Sequence, residues 1–170
     1  MKYLKTKTEA LVITPKHFYD YRGYFFESFN APFFSELNLP TDYPRENSTL
    51  SMKNCLRGLY IDDSHKVFHV LQGRVFLVIV NFERQTQDSF ILSEKKKQII
   101  YIPPKCAYGI YTLSTISRTS IKFSEPFDKD GERSILWKDD KLSIKWPLVE
   151  PHPILSTKDA QALPIQELEE

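Results

Sequence analysis

KVFHVLQGRVFLVIVNF, residues 66–82, sets two apolar runs on either side of one glycine, Gly73. Val, Ile and Phe dominate both arms, and two such runs meeting at a glycine are a β-hairpin signal. The same texture continues outward in both directions. ALVIT (10–14), GYFFESF (23–29), SFILSE (89–94), QIIYIPP (98–104), YGIYTLS (108–114) and RTSIKFS (118–124) all have strand character. Only APFFSELN (31–38) and SILWKDDKL (134–142) suggest helices, and both are short. The chain has 11 prolines, which break it often, and IPPK (102–105) is a stiff elbow between strands. Many short strands at even spacing predict an all-β sandwich or closed barrel, and the elbow followed by a small residue and Tyr-Gly recurs in jelly-roll barrels, whose mouth would hold the ligand.

The 170 residues suffice for one domain, 1–170, with a proper core. Apolar content of 41% and charged content of 26% are those of an ordinary globular chain. A formal charge of +1 points to neither a nucleic acid nor a membrane surface as partner. The two cysteines, Cys55 and Cys106, lie in strand-like runs and read as buried thiols. They form no CxxC or Cys/His cluster, so no metal or other cofactor is expected. The N-terminus has no apolar signal-type core, so a cytoplasmic setting is the expectation. Residues 160–170 read as a tail or a short helix.

NCLRGLY (54–60) is the stretch that invites chemistry. It reads as an apolar run turning on Arg57–Gly58 and delivering a phenol, Tyr60, to a polar loop. An ordinary phenol titrates near 10, against about 6.5 for imidazole, so it is a poor base at neutral pH.

Several segments together resemble one family, the dTDP-4-dehydrorhamnose 3,5-epimerases: DYRGYFFESFN (20–30), ENSTLSMKNCLRGLY (46–60), HKVFHVLQGRV (65–75), IPPKCAYGIYTLS (102–114), SILWKDDKLSIKWP (134–147) and LSTKD (155–159). The resemblance implies a cupin-like jelly roll, a homodimer that exchanges N-terminal strands near 10–29, and a dTDP-sugar as ligand. It also implies a place in deoxysugar and surface polysaccharide (lipopolysaccharide) biosynthesis. In that family a C4 ketone acidifies the C3 and C5 hydrogens, a base removes each, and an acid returns it on the other face.

The resemblance places the base at Tyr60, where the family has histidine. It places the acid at Phe127, where the family has tyrosine, and Tyr108 where a second histidine would stand. Lys66 and Asp159 match the family lysine and the carboxylate that orients the base. Arg57 matches an arginine that meets the diphosphate, for which a guanidinium fork is well suited. Arg22, Phe25, Glu27 and Asn47 match nucleotide contacts, and Arg45 replaces a usual glutamine. Leu77 and Asn81 replace two strand aspartates. His69 should face out of the barrel if Lys66 faces in. Three readings follow: a nucleotide-sugar-binding protein without normal 3,5-epimerase activity; a single-site epimerase or isomerase in which Lys66 activates Tyr60; and a non-binding structural subunit of a sugar enzyme.

Overall fold

The structure, a computed structural model, describes residues 1–128 and 131–168. In chain order the strands are β1 (Lys2–Lys5), β2 (Leu11–Thr14), β3 (His17–Asp20), β4 (Gly23–Phe26), β5 (Arg45–Met52), β6 (Leu56–Ile61), β7 (Lys66–Gln72), β8 (Arg74–Asn81), β9 (Thr86–Ser93), β10 (Ile99–Ile102), β11 (Cys106–Thr112), β12 (Ile116–Phe123) and β13 (Arg133–Ser134). Two short helices, α1 (Ala31–Glu36) and α2 (Thr157–Ala160), accompany them. The strands form a six-stranded sheet, β1-β2-β10-β7-β12-β5, and a five-stranded sheet, β13-β6-β11-β8-β9. Their inner faces enclose a core of Phe68, Val70, Leu77, Ile79, Ile100 and Ile121, among others. This is the expected jelly roll.

Both sheets are covered on their outer faces as well. Phe34 of α1 seals Leu11, Ile13, Val67 and Ile99 of the first sheet. The segment after β13 lays Trp137, Ile144, Trp146 and Leu155 over Leu56, Leu59, Val78 and Tyr111 of the second. Double coverage explains why β8 is an unbroken apolar run rather than an alternating one.

Two expectations are corrected here. SILWKDDKL is not a helix. Ile135 exchanges both backbone hydrogen bonds with Leu59, and Asp139 then holds a turn by accepting from the amides of Lys141 and Leu142. The pairing of Ile135 with Leu59 and the turn at Asp139 are tertiary contacts that outweigh a weak helical period. In the C-terminal stretch the short-helix alternative holds: Ile165–Leu168 form one 3-10 turn, with Leu163 bridging Ile135 and the amide of Ile165 donating to Asp139. Residues 169–170 lie outside the described residues. Cys106 is buried as expected, whereas Cys55 is only half-buried.

The N-terminal segment divides in two. β2 pairs with β10 of its own chain. β3 and β4 form a hairpin by themselves, joined to neither sheet. Phe26 of this hairpin packs edge-on against His69, at 5.4 Å between ring centroids. His69 is thus on the outer face of its sheet, as alternation predicted.

Candidate functional site

Strand β6 runs straight through Arg57–Gly58, where a turn was expected. What the glycine permits is a bulge. Tyr60 lies opposite Tyr108 and Gly58 opposite Gly109, so Leu59 is an extra residue with no partner in β11. Gly58 has φ +121°, and a Cβ there would stand 2.7 Å from the Tyr108 carbonyl oxygen. Arg57, opposite Ile110, and Tyr60, opposite Tyr108, therefore share the inner face, although their spacing of three would separate them on a regular strand.

The other sheet supplies the facing wall. Lys66, Phe123 and Arg45 are neighbours across β7, β12 and β5. Phe123 belongs to the inner core, so Lys66, Arg45 and, two residues on, Asn47 face inward with it. The structure thus brings together Tyr60, Arg57, Tyr108, Lys66, Arg45 and Asn47. Phe127 joins them at the rim, where it lines a cavity of about 280 Å³ with Arg45, Asp62, Ser64 and Glu132. It is 61% exposed, and the Arg45 guanidinium lies 5.3 Å from its ring centre and 3.8 Å from that of Phe123.

Asp159 enters from the N-terminal turn of α2, capped by Ser156. The resemblance matched this carboxylate to the one that orients the base, and here it meets a phenol. It accepts a hydrogen bond from the Tyr60 hydroxyl at 2.9 Å. Burial first, then the Asp159 charge and this bond, push the Tyr60 phenol far above its ordinary range. Tyr108, packed edge-on to Tyr60 at 5.8 Å, is likewise pushed up by burial, with Glu132 and Asp62 adding to it.

Lys66 is fully buried and committed elsewhere. Its ammonium pairs with Asp62 at 2.5 Å and donates to the Ser64 carbonyl at 2.9 Å. Burial lowers its proton affinity, with Asp62 opposing. The alternative in which Lys66 draws the Tyr60 phenol down gains no support: burial and Asp159 move the phenol up, and Arg57 is the cation that opposes the rise. Asp62, four residues before Lys66, is a member of the site that sequence reading missed. So is Ser51, whose hydroxyl accepts from Arg57 Nε at 2.9 Å and ties the two sheets together.

Arg22, Phe25 and Glu27 lie apart from this group, on or just after the β3–β4 hairpin. Arg22 pairs with Asp20 at 2.5 Å, Phe25 stacks on Phe18 at 4.9 Å, and Glu27 accepts from Asn30. Arg22 and Phe25 line a shallow hollow on the hairpin itself. Within one chain they do not share a cleft with Arg57. Among the described residues no His/Cys/Asp/Glu cluster has a geometry for a metal ion.

A family model, dTDP-4-dehydrorhamnose 3,5-epimerase, matches residues 6–167. The chain belongs to the dTDP-4-dehydrorhamnose 3,5-epimerase family. It is 34% identical over 164 residues to the dTDP-4-dehydrorhamnose 3,5-epimerase of Salmonella typhimurium, covering 91% of this chain and 89% of that one. Its fold is similar to that of the dTDP-6-deoxy-D-glucose-3,5-epimerase of Legionella pneumophila, solved with dTDP-4-keto-L-rhamnose. There the TM-score is 0.91 at 32% identity, over 97% of this chain and 93% of that one. It is also similar to a Mycobacterium tuberculosis epimerase, with TM-score 0.93, 28% identity, and coverage of 99% and 90%. The family resemblance and the cupin-like jelly roll read from the sequence both hold. Among the described residues no helix is long and apolar enough to cross a membrane.

Proposed function

We propose that this chain binds a nucleotide-linked deoxysugar, most simply a dTDP-sugar, and does not carry out normal 3,5-epimerisation. The reading rests on one observation: at the base position Tyr60 holds its proton and shares it with Asp159. A phenol raised by burial and by an adjacent carboxylate accepts no proton from carbon at neutral pH. At the acid position Phe127 has none to give. Binding is supported by Arg57 and Arg45 on the inner face, and by the relative that binds dTDP-4-keto-L-rhamnose. The third reading, a subunit that binds nothing, gains no support from a wall that holds two arginines. The reading in which Lys66 activates Tyr60 gains none from a lysine held by Asp62.

Incubation with dTDP-4-keto-6-deoxyglucose in deuterated buffer tests the proposal. No deuterium should enter C3 or C5 with the parent chain, while Tyr60→His with Phe127→Tyr should gain exchange. Wash-in by the parent at enzymatic rates would sink the reading.

We further propose that the chain is a homodimer in a cytoplasmic deoxysugar pathway feeding surface polysaccharide. In this arrangement the β3–β4 hairpin carries Arg22, Phe25 and Glu27 to the partner's site. The hairpin's lack of a sheet partner within its own chain supports this.

A further inference from the structure

We propose that Lys97 is a positioning residue, a cation held against two tyrosine rings that fixes the tip of the β3–β4 hairpin and with it the aim of Arg22 and Phe25. The inference rests on the nucleotide-sugar reading above and deepens it by naming what orients the hairpin that carries the nucleotide contacts.

Lys97 ends the run KKK (95–97) in the turn between β9 and β10. Such a run is ordinarily solvated, and Lys95 and Lys96 are exposed. Lys97 is only 8% exposed. Its φ of +51° lies in the left-handed region, where glycine or asparagine is the easier choice. Among the described residues no carboxylate pairs with it, and its ammonium reaches the Lys95 carbonyl at 3.5 Å, the far limit of a hydrogen bond. A buried ammonium without a carboxylate is costly. Aromatic faces of the hairpin offset that cost: the ring centre of Tyr24 lies 4.1 Å away and that of Tyr19 5.7 Å away. The turn that carries Lys97 is itself anchored. The Gly73 amide donates to Glu94 Oε2 at 2.8 Å, and the Glu94 amide donates to the Gly73 carbonyl at 3.2 Å.

Alternation gives the hairpin two faces. His17, Tyr19, Tyr24 and Phe26 form one, and it lies on the body of its own chain. At the base Phe26 meets His69, and at the tip Tyr19 and Tyr24 meet Lys97. The opposite face carries the stacked pair Phe18 and Phe25 and Asp20, to which the Arg22 guanidinium is tied. A two-stranded hairpin without a sheet partner is marginal by itself, so its docking decides where these groups point. The contact with His69 holds one end only, and Lys97 supplies the second hold, beside Arg22. Without the charge the tip undocks, and only the docked fraction of molecules binds nucleotide at full strength.

Hydrogen exchange, thermal melts and dTDP calorimetry on the parent, Lys97→Met and Lys97→Arg test this. Methionine keeps an unbranched apolar stem and drops the charge, whereas arginine keeps a cation that stacks on rings. In Lys97→Met the amides of residues 17–26 should exchange about five- to thirty-fold faster, the range for a desolvated cation over a ring. The dTDP dissociation constant should rise by up to the same factor. The thermal melt should hold or rise, because a buried charge has gone. Lys97→Arg should return exchange and binding toward the parent. In an Arg22→Ala background Lys97→Met should cost less binding than it does alone, because the two act through one hairpin. A dissociation constant unchanged in Lys97→Met overturns the positioning role and leaves nucleotide binding intact; a lowered melt beside it marks a merely structural lysine. Lys97→Arg behaving as Lys97→Met overturns the cation as the cause. A parent that binds no dTDP overturns the nucleotide-sugar reading and the positioning role together.

Discussion

The hydroxyl of Tyr60 donates to Asp159 Oδ2 at 2.9 Å, joining β6 to α2 across 99 positions of sequence. Asp159 is 1% exposed, so losing the phenol strands a buried carboxylate. Tyr60→Phe should cost roughly 1.5–3 kcal/mol of stability, as for a hydrogen bond to a charged group. Adding Asp159→Ala should recover part of that loss, because both ends of the contact are then gone. Denaturant melts of the four species measure it. Additive losses would show that the bond contributes nothing of its own.

Arg57 lies on the inner face of β6 and is held by Ser51. Arg57→Ala should weaken nucleoside diphosphate binding by roughly 1.5–3 kcal/mol. An unchanged dissociation constant would make Arg57 a structural strut between the sheets.

Gly58 admits no side chain at φ +121° with the Tyr108 carbonyl 2.7 Å from the Cβ position. Gly58→Ala should destabilise by about 1–3 kcal/mol from backbone strain alone, and more where the bulge is lost. A thermal melt equal to that of the parent would show that the crossing of β6 and β11 is slack.

Burial raises the phenols of Tyr43, Tyr60, Tyr101 and Tyr108 above the ordinary tyrosine value. Above about pH 10 the unfolded chain sheds these protons while the folded chain keeps them. Their contribution is complete below that pH and is lost as pH rises through the folded values. Lys66, lowered by burial, runs the other way and gains as pH approaches 10.5, but it is one group against four. Stability should therefore fall above pH 10, and phenolate absorbance from buried tyrosines should rise with unfolding. Full phenolate signal in a chain that retains its circular dichroism would contradict this.

Light scattering at micromolar concentration should give the mass of a dimer, and deleting the tip of the β3–β4 hairpin should give a monomer with weakened nucleotide binding. A monomeric parent removes the exchanged-hairpin arrangement.

The strand texture around residues 66–82 was enough to read the architecture, because apolar runs and glycine turns are local signals. That His69 faces away from Lys66 followed from alternation alone. The placement of Arg57 did not, since counting by twos from Tyr60 puts it outside, and the extra residue at Leu59 leaves no local sign beyond a glycine that reads as a turn. Residues 134–142 misled for a related reason: their shape is dictated by the sheet they cover, which no window of sequence contains. The Tyr60–Asp159 contact was legible only through the family resemblance, which paired the two positions, since no local pattern joins residues 99 apart. The Lys66–Asp62 pair lay four residues apart, yet on strands that spacing predicts no contact.

The extra residue in β6 acts as a parity switch. Ironing out the bulge while keeping both residues between Arg57 and Tyr60 would turn one of them to the outer face with the composition of the strand unchanged. An added pair would keep both orientations and change only their separation. Arg57, the proposed phosphate anchor, and Tyr60, at the family's base position, are thus coupled by odd-and-even counting along one backbone.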